Sequence, residues 1–177
     1  MAKNQQSAQS RSPARSPAQQ AGLLGEAFVA AWWQRQQWTV VAERWHCRWG
    51  ELDLVVRSPA PDPPNRIHTL AFVEVKTRAQ RNWDEDGLLA LTPTKQLKLI
   101  RTAQTFLGEF PDLANDACRF DVAAIRCDRA SGTPQSLPTA LNLDPAAIAL
   151  SSGQRHTLHG HHLTLQHYIP NAFDLSQ

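Results

Sequence analysis

The sequence predicts one α/β domain, a mixed sheet of about five strands flanked by two helices. Three observations lead there. Two stretches, Ala21 to Gln36 and Thr92 to Leu107, repeat apolar residues at three- and four-residue intervals, the spacing of one helix face. Short runs at 38–42, 50–56, 70–78 and 119–125, with a hairpin-like segment from Gln154 to Ile169, read as strands. Finally, 42% of the 177 residues are apolar, enough for a real core. No apolar run approaches the roughly 18 residues of a membrane span.

Composition narrows the setting. The N-terminus lacks the apolar stretch of a secretory signal, so a soluble, cytoplasmic protein is expected. Cys47, Cys118 and Cys127 are odd in number and form no Cys-x-x-Cys pair, which predicts buried free thiols rather than disulfides or structural zinc. A net charge of +2 does not by itself imply a nucleic-acid partner. Its distribution says more: Arg44, Arg48, Arg78, Arg81, Lys95, Lys98 and Arg101 all fall near the acidic residues singled out below, or on the helix after them.

Taken in order, residues 1–20 carry Lys3, Arg11 and Arg15 without one acid and show no periodicity, which predicts a disordered basic tail before a single domain over 21–177. In the first helix Leu24, Ala27, Phe28, Ala31 and Trp32 form the apolar stripe, with Glu26 beside it. A short strand follows at 38–42. Arg44 to Trp49 then reads as a basic, aromatic loop whose Trp45 and Trp49 either cap the core or stack on bases. Ser58 to Asn65, with four prolines, reads as an extended hairpin loop. The segment 79–87, with Trp83 among Asp84, Glu85 and Asp86, reads as a loop at the rim of the site.

Thr92 and Pro93 provide the N-cap and first residue of the second helix. Leu97, Ile100, Ala103, Phe106 and Leu107 are its expected buried side, and Lys95, Lys98 and Arg101 its exposed basic edge, suited to phosphate or to plain solvation. In the strand 119–125, Asp121 could ligand a metal, but a structural role, paired with Arg119 or a basic neighbour, is the preferred reading. Residues 128–152 form a long connection with a helical turn near 145–150, and a hairpin then turns at Gly160. An insertion is expected over about 128–162. Its His156, His159, His161 and His162 have no acid or cysteine beside them and alternate between faces, so metal binding is not expected there.

The central pair of strands carries the chemistry. In Gly50-Glu51-Leu52-Asp53-Leu54-Val55-Val56, alternation places Leu52 and Leu54 on one face and Glu51 and Asp53 on the other. In Leu70 to Arg78, Val73 and Val75 oppose Glu74 and Lys76. A carboxylate among Val, Leu and Phe costs several kcal/mol unless a cation, metal or water meets it. A Glu74–Lys76 ion pair within the sheet is the simplest answer. On adjacent strands, however, Asp53, Glu74 and Lys76 converge, in an edge cleft. Two carboxylates and a lysine suit metal-assisted phosphodiester hydrolysis: the acids hold Mg²⁺ or Mn²⁺, and Lys76 positions or activates water or stabilises the transition state.

At Asp53 and Glu74-Val75-Lys76 the sequence resembles the PD-(D/E)xK, or restriction-endonuclease-like, nucleases. Gly25-Glu26, Gly50 to Leu54, Phe72 to Arg78, Arg119-Phe120-Asp121-Val122 and Asn171-Ala172-Phe173, in that order, are similar to the motifs of the bacterial YraN family. That family's fold is similar to archaeal Holliday-junction resolvases. The resemblance implies a restriction-endonuclease-like core, with Glu26 as a third carboxylate at the metal and catalytic roles for Glu26, Asp53, Glu74 and Lys76. Arg44, Arg48, Arg78, Lys95 and Lys98 are the expected nucleic-acid contacts. Two functions remain open: a divalent-metal-dependent nuclease, on branched DNA among other substrates, or a nucleic-acid- or partner-binding module that retains the acidic cluster without turnover. Expected partners are nucleic acid, DNA first, and a second copy of the chain, with no membrane.

Overall fold

A reciprocal cap starts the first helix. Ser16 Oγ accepts from the Gln19 N–H at 3.2 Å, Gln19 Oε1 accepts from the Ser16 N–H at 2.8 Å, and Pro17 brings a preset φ to the first helical position. In the computed structural model, which describes residues 15–60, 67–79, 91–132, 137–138, 141, 143–149 and 151–173, helix α1 therefore spans Pro17–Arg35. The expected tail is too long by this measure: residues 17–20 are helical, because the cap outweighs their polar composition. The rest of the tail to residue 14, the Pro-rich stretch 61–66, and Arg81, Trp83 and the acids 84–86 lie outside the described residues.

The strands are β1 (Thr39–Cys47), β2 (Gly50–Arg57), β3 (Thr69–Arg78), β4 (Ala117–Arg129), β5 (Arg155–Leu158) and β6 (His161–Phe173), and α2 (Pro93–Glu109) lies between β3 and β4. They form one mixed sheet of six strands, ordered β1-β2-β3-β4-β6-β5, one more than expected. Every neighbouring pair is antiparallel except β3 and β4, whose parallel pairing needs a crossover connection that carries α2.

Helices α1 and α2 cover opposite faces of the sheet. Under α1, Leu24, Phe28, Val29 and Trp33 pack on Leu54, Val56, Ala71, Val73, Ala123 and Ile125. Under α2, Leu99, Ala103 and Phe106 pack on Leu52, Val55, Leu70, Phe72, Phe120 and Val122. Both faces of the central strands are thus buried, which is why β3 reads Leu-Ala-Phe-Val rather than as a strict alternation. Thr92 caps α2 as expected, its hydroxyl accepting from the Lys95 N–H at 3.3 Å. Leu97, expected inside, is 51% exposed, and Leu99 takes its place. The stripe that reaches the sheet is Leu99, Thr102, Ala103 and Phe106, one step round the helix from the one expected.

The Arg44–Trp49 segment is mostly strand rather than loop. Pairing with β2 carries β1 to Cys47, and only Arg48 and Trp49 turn. Trp45 stands edge-on to Phe106 with ring centroids 5.2 Å apart, so it belongs to the core. A single 3-10 turn, Pro145–Ala147, occupies the expected helical turn, and the β5–β6 hairpin turns at His159 and Gly160. His156 rests on Phe28 and His162 bonds Thr157, as ordinary packing residues do. The three cysteines are free, and of them Cys127 is buried.

Candidate active site

The site forms where β2 leaves β3. Their ladder runs from Arg57↔Leu70 to Leu54↔Val73 and stops there. Beyond it the Asp53 side chain stands in for a strand: Oδ2 accepts from the Val75 N–H at 2.8 Å. Freed from the ladder, β2 also changes face. Leu54 packs under α1 while Leu52 packs under α2, so the two leucines do not share a face as strict alternation predicts. On β3 the expected alternation holds, with Val73 and Val75 toward α1.

Glu74 is buried on the opposite side, where two cations meet one of its oxygens. Lys76 Nζ lies 2.8 Å and Lys95 Nζ 3.2 Å from Glu74 Oε1. Glu74 Oε2 is buried with no hydrogen-bond partner. Lys95, expected among the phosphate contacts, is therefore an ion-pair partner of the acidic centre itself. Its position one turn inside a capped helix, after a Glu-x-Lys strand, is the signal that sequence reasoning missed.

Glu26 reaches the same centre from α1 because of its neighbour. A Cβ on Gly25 would overlap Thr77 Oγ1, so only glycine lets α1 lie this close to β3. Thr77 Oγ1 and Glu26 Oε2 are both buried without a hydrogen-bond partner. Arg44 Nε sits 3.7 Å from Glu26 Oε2 and 3.2 Å from Glu51 Oε1, so Arg44, also expected on phosphate, joins the acidic cluster.

The electrostatics record the convergence. Burial and then the Asp53 charge raise the Glu26 carboxyl to about 7, against a smaller lowering by Arg44. Burial and then the Glu74 charge raise Asp53 to about 6, although the Val75 N–H and Lys95 pull the other way. Carboxylates at such values repel one another and lack water. Of the other expected contacts, Lys98 is exposed on α2, Arg78 is exposed and donates to its neighbour's carbonyl, and Arg48 and Arg101 lie against Trp49.

The profile of the family described as Uncharacterised protein family UPF0102 matches residues 25–125. A UPF0102 protein of Acaryochloris marina is 45% identical over 157 residues, covering 88% of this chain and 91% of its own. The chain belongs to the UPF0102 family. Trichodesmium erythraeum has a UPF0102 relative 42% identical over 86% of this chain and 87% of its own, and Synechococcus elongatus one 44% identical over 84% and 87%. The matched family segment spans Glu26, Asp53, Glu74, Lys76 and Lys95.

Among the described residues of this UPF0102 chain, no three His, Cys, Asp or Glu side chains stand close enough to enclose a metal ion. Magnesium does not require such an enclosure: it keeps several waters and is held through one or two carboxylates. The orphaned oxygens of Glu26 and Glu74, with Asp53 between them electrostatically, are hard oxygen donors of the right kind. Carboxylate oxygens are the donor type that hard cations such as Mg²⁺ or Mn²⁺ take. No helix among the described residues is long and apolar enough to cross a membrane.

Proposed function

We propose that this UPF0102 protein hydrolyses phosphodiester bonds in DNA with Mg²⁺ or Mn²⁺, as a nuclease of restriction-endonuclease-like type. The observation that carries the reading is the electrostatic coupling of Glu26 to Asp53 and of Asp53 to Glu74, with one oxygen each of Glu26 and Glu74 buried without a hydrogen-bond partner and two lysines on Glu74. Burying so much like charge costs stability that the donors present offset only in part.

Asp53 and Glu74 would hold the cation, with Glu26 as the further carboxylate. The metal, when bound, would activate water and offset charge developing on the phosphate. The Val75 N–H fixes the Asp53 carboxylate, and Gly25 fixes the approach of Glu26. Lys76, anchored 2.8 Å from Glu74, is free to turn its remaining N–H groups toward attacking water or a phosphate oxygen. Lys95 neutralises the same carboxylate from α2 and leaves Lys76 that freedom.

A second reading has its own observation. Lys76 and Lys95 already neutralise Glu74 without metal, which suits a binding module that never turns over. Purified protein incubated with linear, flapped and four-way DNA under Mg²⁺, Mn²⁺ or EDTA separates the two. Hydrolysis predicts metal-dependent cutting that Asp53→Ala abolishes and Lys76→Met lowers by about 10² or more, with DNA affinity kept within a few fold. A wild type that cuts nothing, and a Lys76→Met protein that melts far lower, select the module.

A further inference from the structure

Trp33 packs against Trp32, Trp38 and Tyr168, and Trp45 is held in the core by Phe106. Trp49 differs from both. It occupies the turn between β1 and β2, is 37% exposed, and has the guanidinium of Arg48 at 4.8 Å and that of Arg101, from α2, at 5.2 Å from its ring centroid. Among the described residues Arg48, Lys98 and Arg101 form no ion pair with a carboxylate. Two guanidinium groups on one ring repel each other, and no described carboxylate forms an ion pair with either. An exposed indole among unneutralised cations is matched by a ligand with a flat ring and an anionic backbone.

Two routes measure how far this platform stands from the acidic centre. Arg101 follows Lys95 by six positions on α2, about 9 Å at 1.5 Å per residue. Trp49 precedes Asp53 by four positions, about 13 Å at 3.3 Å per residue. These distances span roughly three to four nucleotides of a strand at 3.4 Å each. We infer that Trp49, Arg48 and Arg101 form a stacking site for an unpaired base about three to four nucleotides from the phosphodiester at Asp53 and Glu74. Bases inside a duplex have both faces covered by their neighbours, so the indole is open only to an unpaired or terminal one. The substrate class is then DNA with single-stranded nucleotides beside the cut, a flap or an opened junction, rather than continuous duplex. The place of the cut rests on the hydrolase reading; the stacking does not.

Fluorescence anisotropy in EDTA, with a labelled flapped duplex and a blunt duplex of equal length, tests the stacking apart from the chemistry. Trp49→Ala is expected to weaken flap binding about ten-fold or more, in line with one stacked base, and blunt-duplex binding less than about two-fold. Trp49→Phe, which keeps a ring and guards against a folding artefact, recovers most of the loss. Arg101→Ala weakens both DNAs and lowers the salt slope on duplex by about 0.9. Equal effects of Trp49→Ala on flap and blunt duplex, or none on either, overturn the inference. If that happens while the wild type still cuts in an Asp53-dependent way, the hydrolase reading stands alone. If flap preference depends on Trp49 and nothing is cut, the stacking site stands and the hydrolase reading falls.

Discussion

Asp121 and Glu74 occupy adjacent parallel strands one register step apart, Val73 facing Asp121 and Glu74 facing Val122, and both are almost fully withdrawn from water. Their surroundings differ completely. Asp121 Oδ1 accepts from the Asn171 N–H at 2.8 Å, and Oδ2 accepts from Arg119 Nε at 3.0 Å and from the Tyr168 hydroxyl. Burial and then the Asp121 charge raise the Tyr168 phenol far above its ordinary value, so it remains a donor. Glu74 has two long, movable lysines on one oxygen and nothing on the other. A carboxylate whose lone pairs all meet fixed donors of its own chain holds structure together. Glu74 leaves one buried oxygen without a hydrogen-bond partner, a cost that Asp121 does not carry.

The largest expected effect breaks that comparison directly. Asp121→Ala strands Arg119 and the Tyr168 hydroxyl and should lower stability by about 3–5 kcal/mol in denaturant unfolding. Glu74→Ala releases two lysines that can reach water and should cost less than about 1.5 kcal/mol. Equal losses would erase the distinction. Next comes pH. Glu26 and Asp53 bind protons more tightly folded than unfolded, so the stability they contribute is complete below about 4 and is lost as pH rises through about 6 and 7. In EDTA, unfolding free energy should fall by a few kcal/mol between about pH 5 and 8, and Glu26→Gln should flatten the upper part of that curve. Gly25→Ala should cost about 1–3 kcal/mol through its overlap with Thr77, and adding Thr77→Ala should restore most of it. The smallest effect is a ligand shift: Mn²⁺ at ten times its Kd should stabilise the protein by about 1.4 kcal/mol, read as a higher Tm, and should do nothing for Asp53→Ala.

How much of this was legible beforehand depends on the range of the forces involved. The cap at Thr92-Pro93, the alternation in β3 and the turn at Gly160 are local, and the sequence shows each of them. The Ser16-Pro17 cap is equally local but is masked by the polar, Pro-containing residues around it. The pairing of Asp121 with Arg119 is readable because the two are neighbours on one strand, whereas Tyr168 and Asn171 arrive on β6 from far along the chain. The change of face between Leu52 and Leu54 depends on where β2 parts from β3, and no spacing encodes that. Lys95 reaches Glu74 only through the crossover, and Trp45 and Trp49, four residues apart, are sorted by what α2 presents to each, the Phe106 ring to Trp45 and the Arg101 guanidinium to Trp49.

The first strand of the sheet has one more consequence. β1 is an outer strand, and its register with β2 shifts between Val40 and Ala42, while Arg44 adopts φ 50° and Glu43 and Arg44 are exposed. A kinked, charged border gives a foreign strand no straight row of amides to copy, and the opposite border, β5, offers only four residues. Lateral strand addition is therefore disfavoured along β1 and β5.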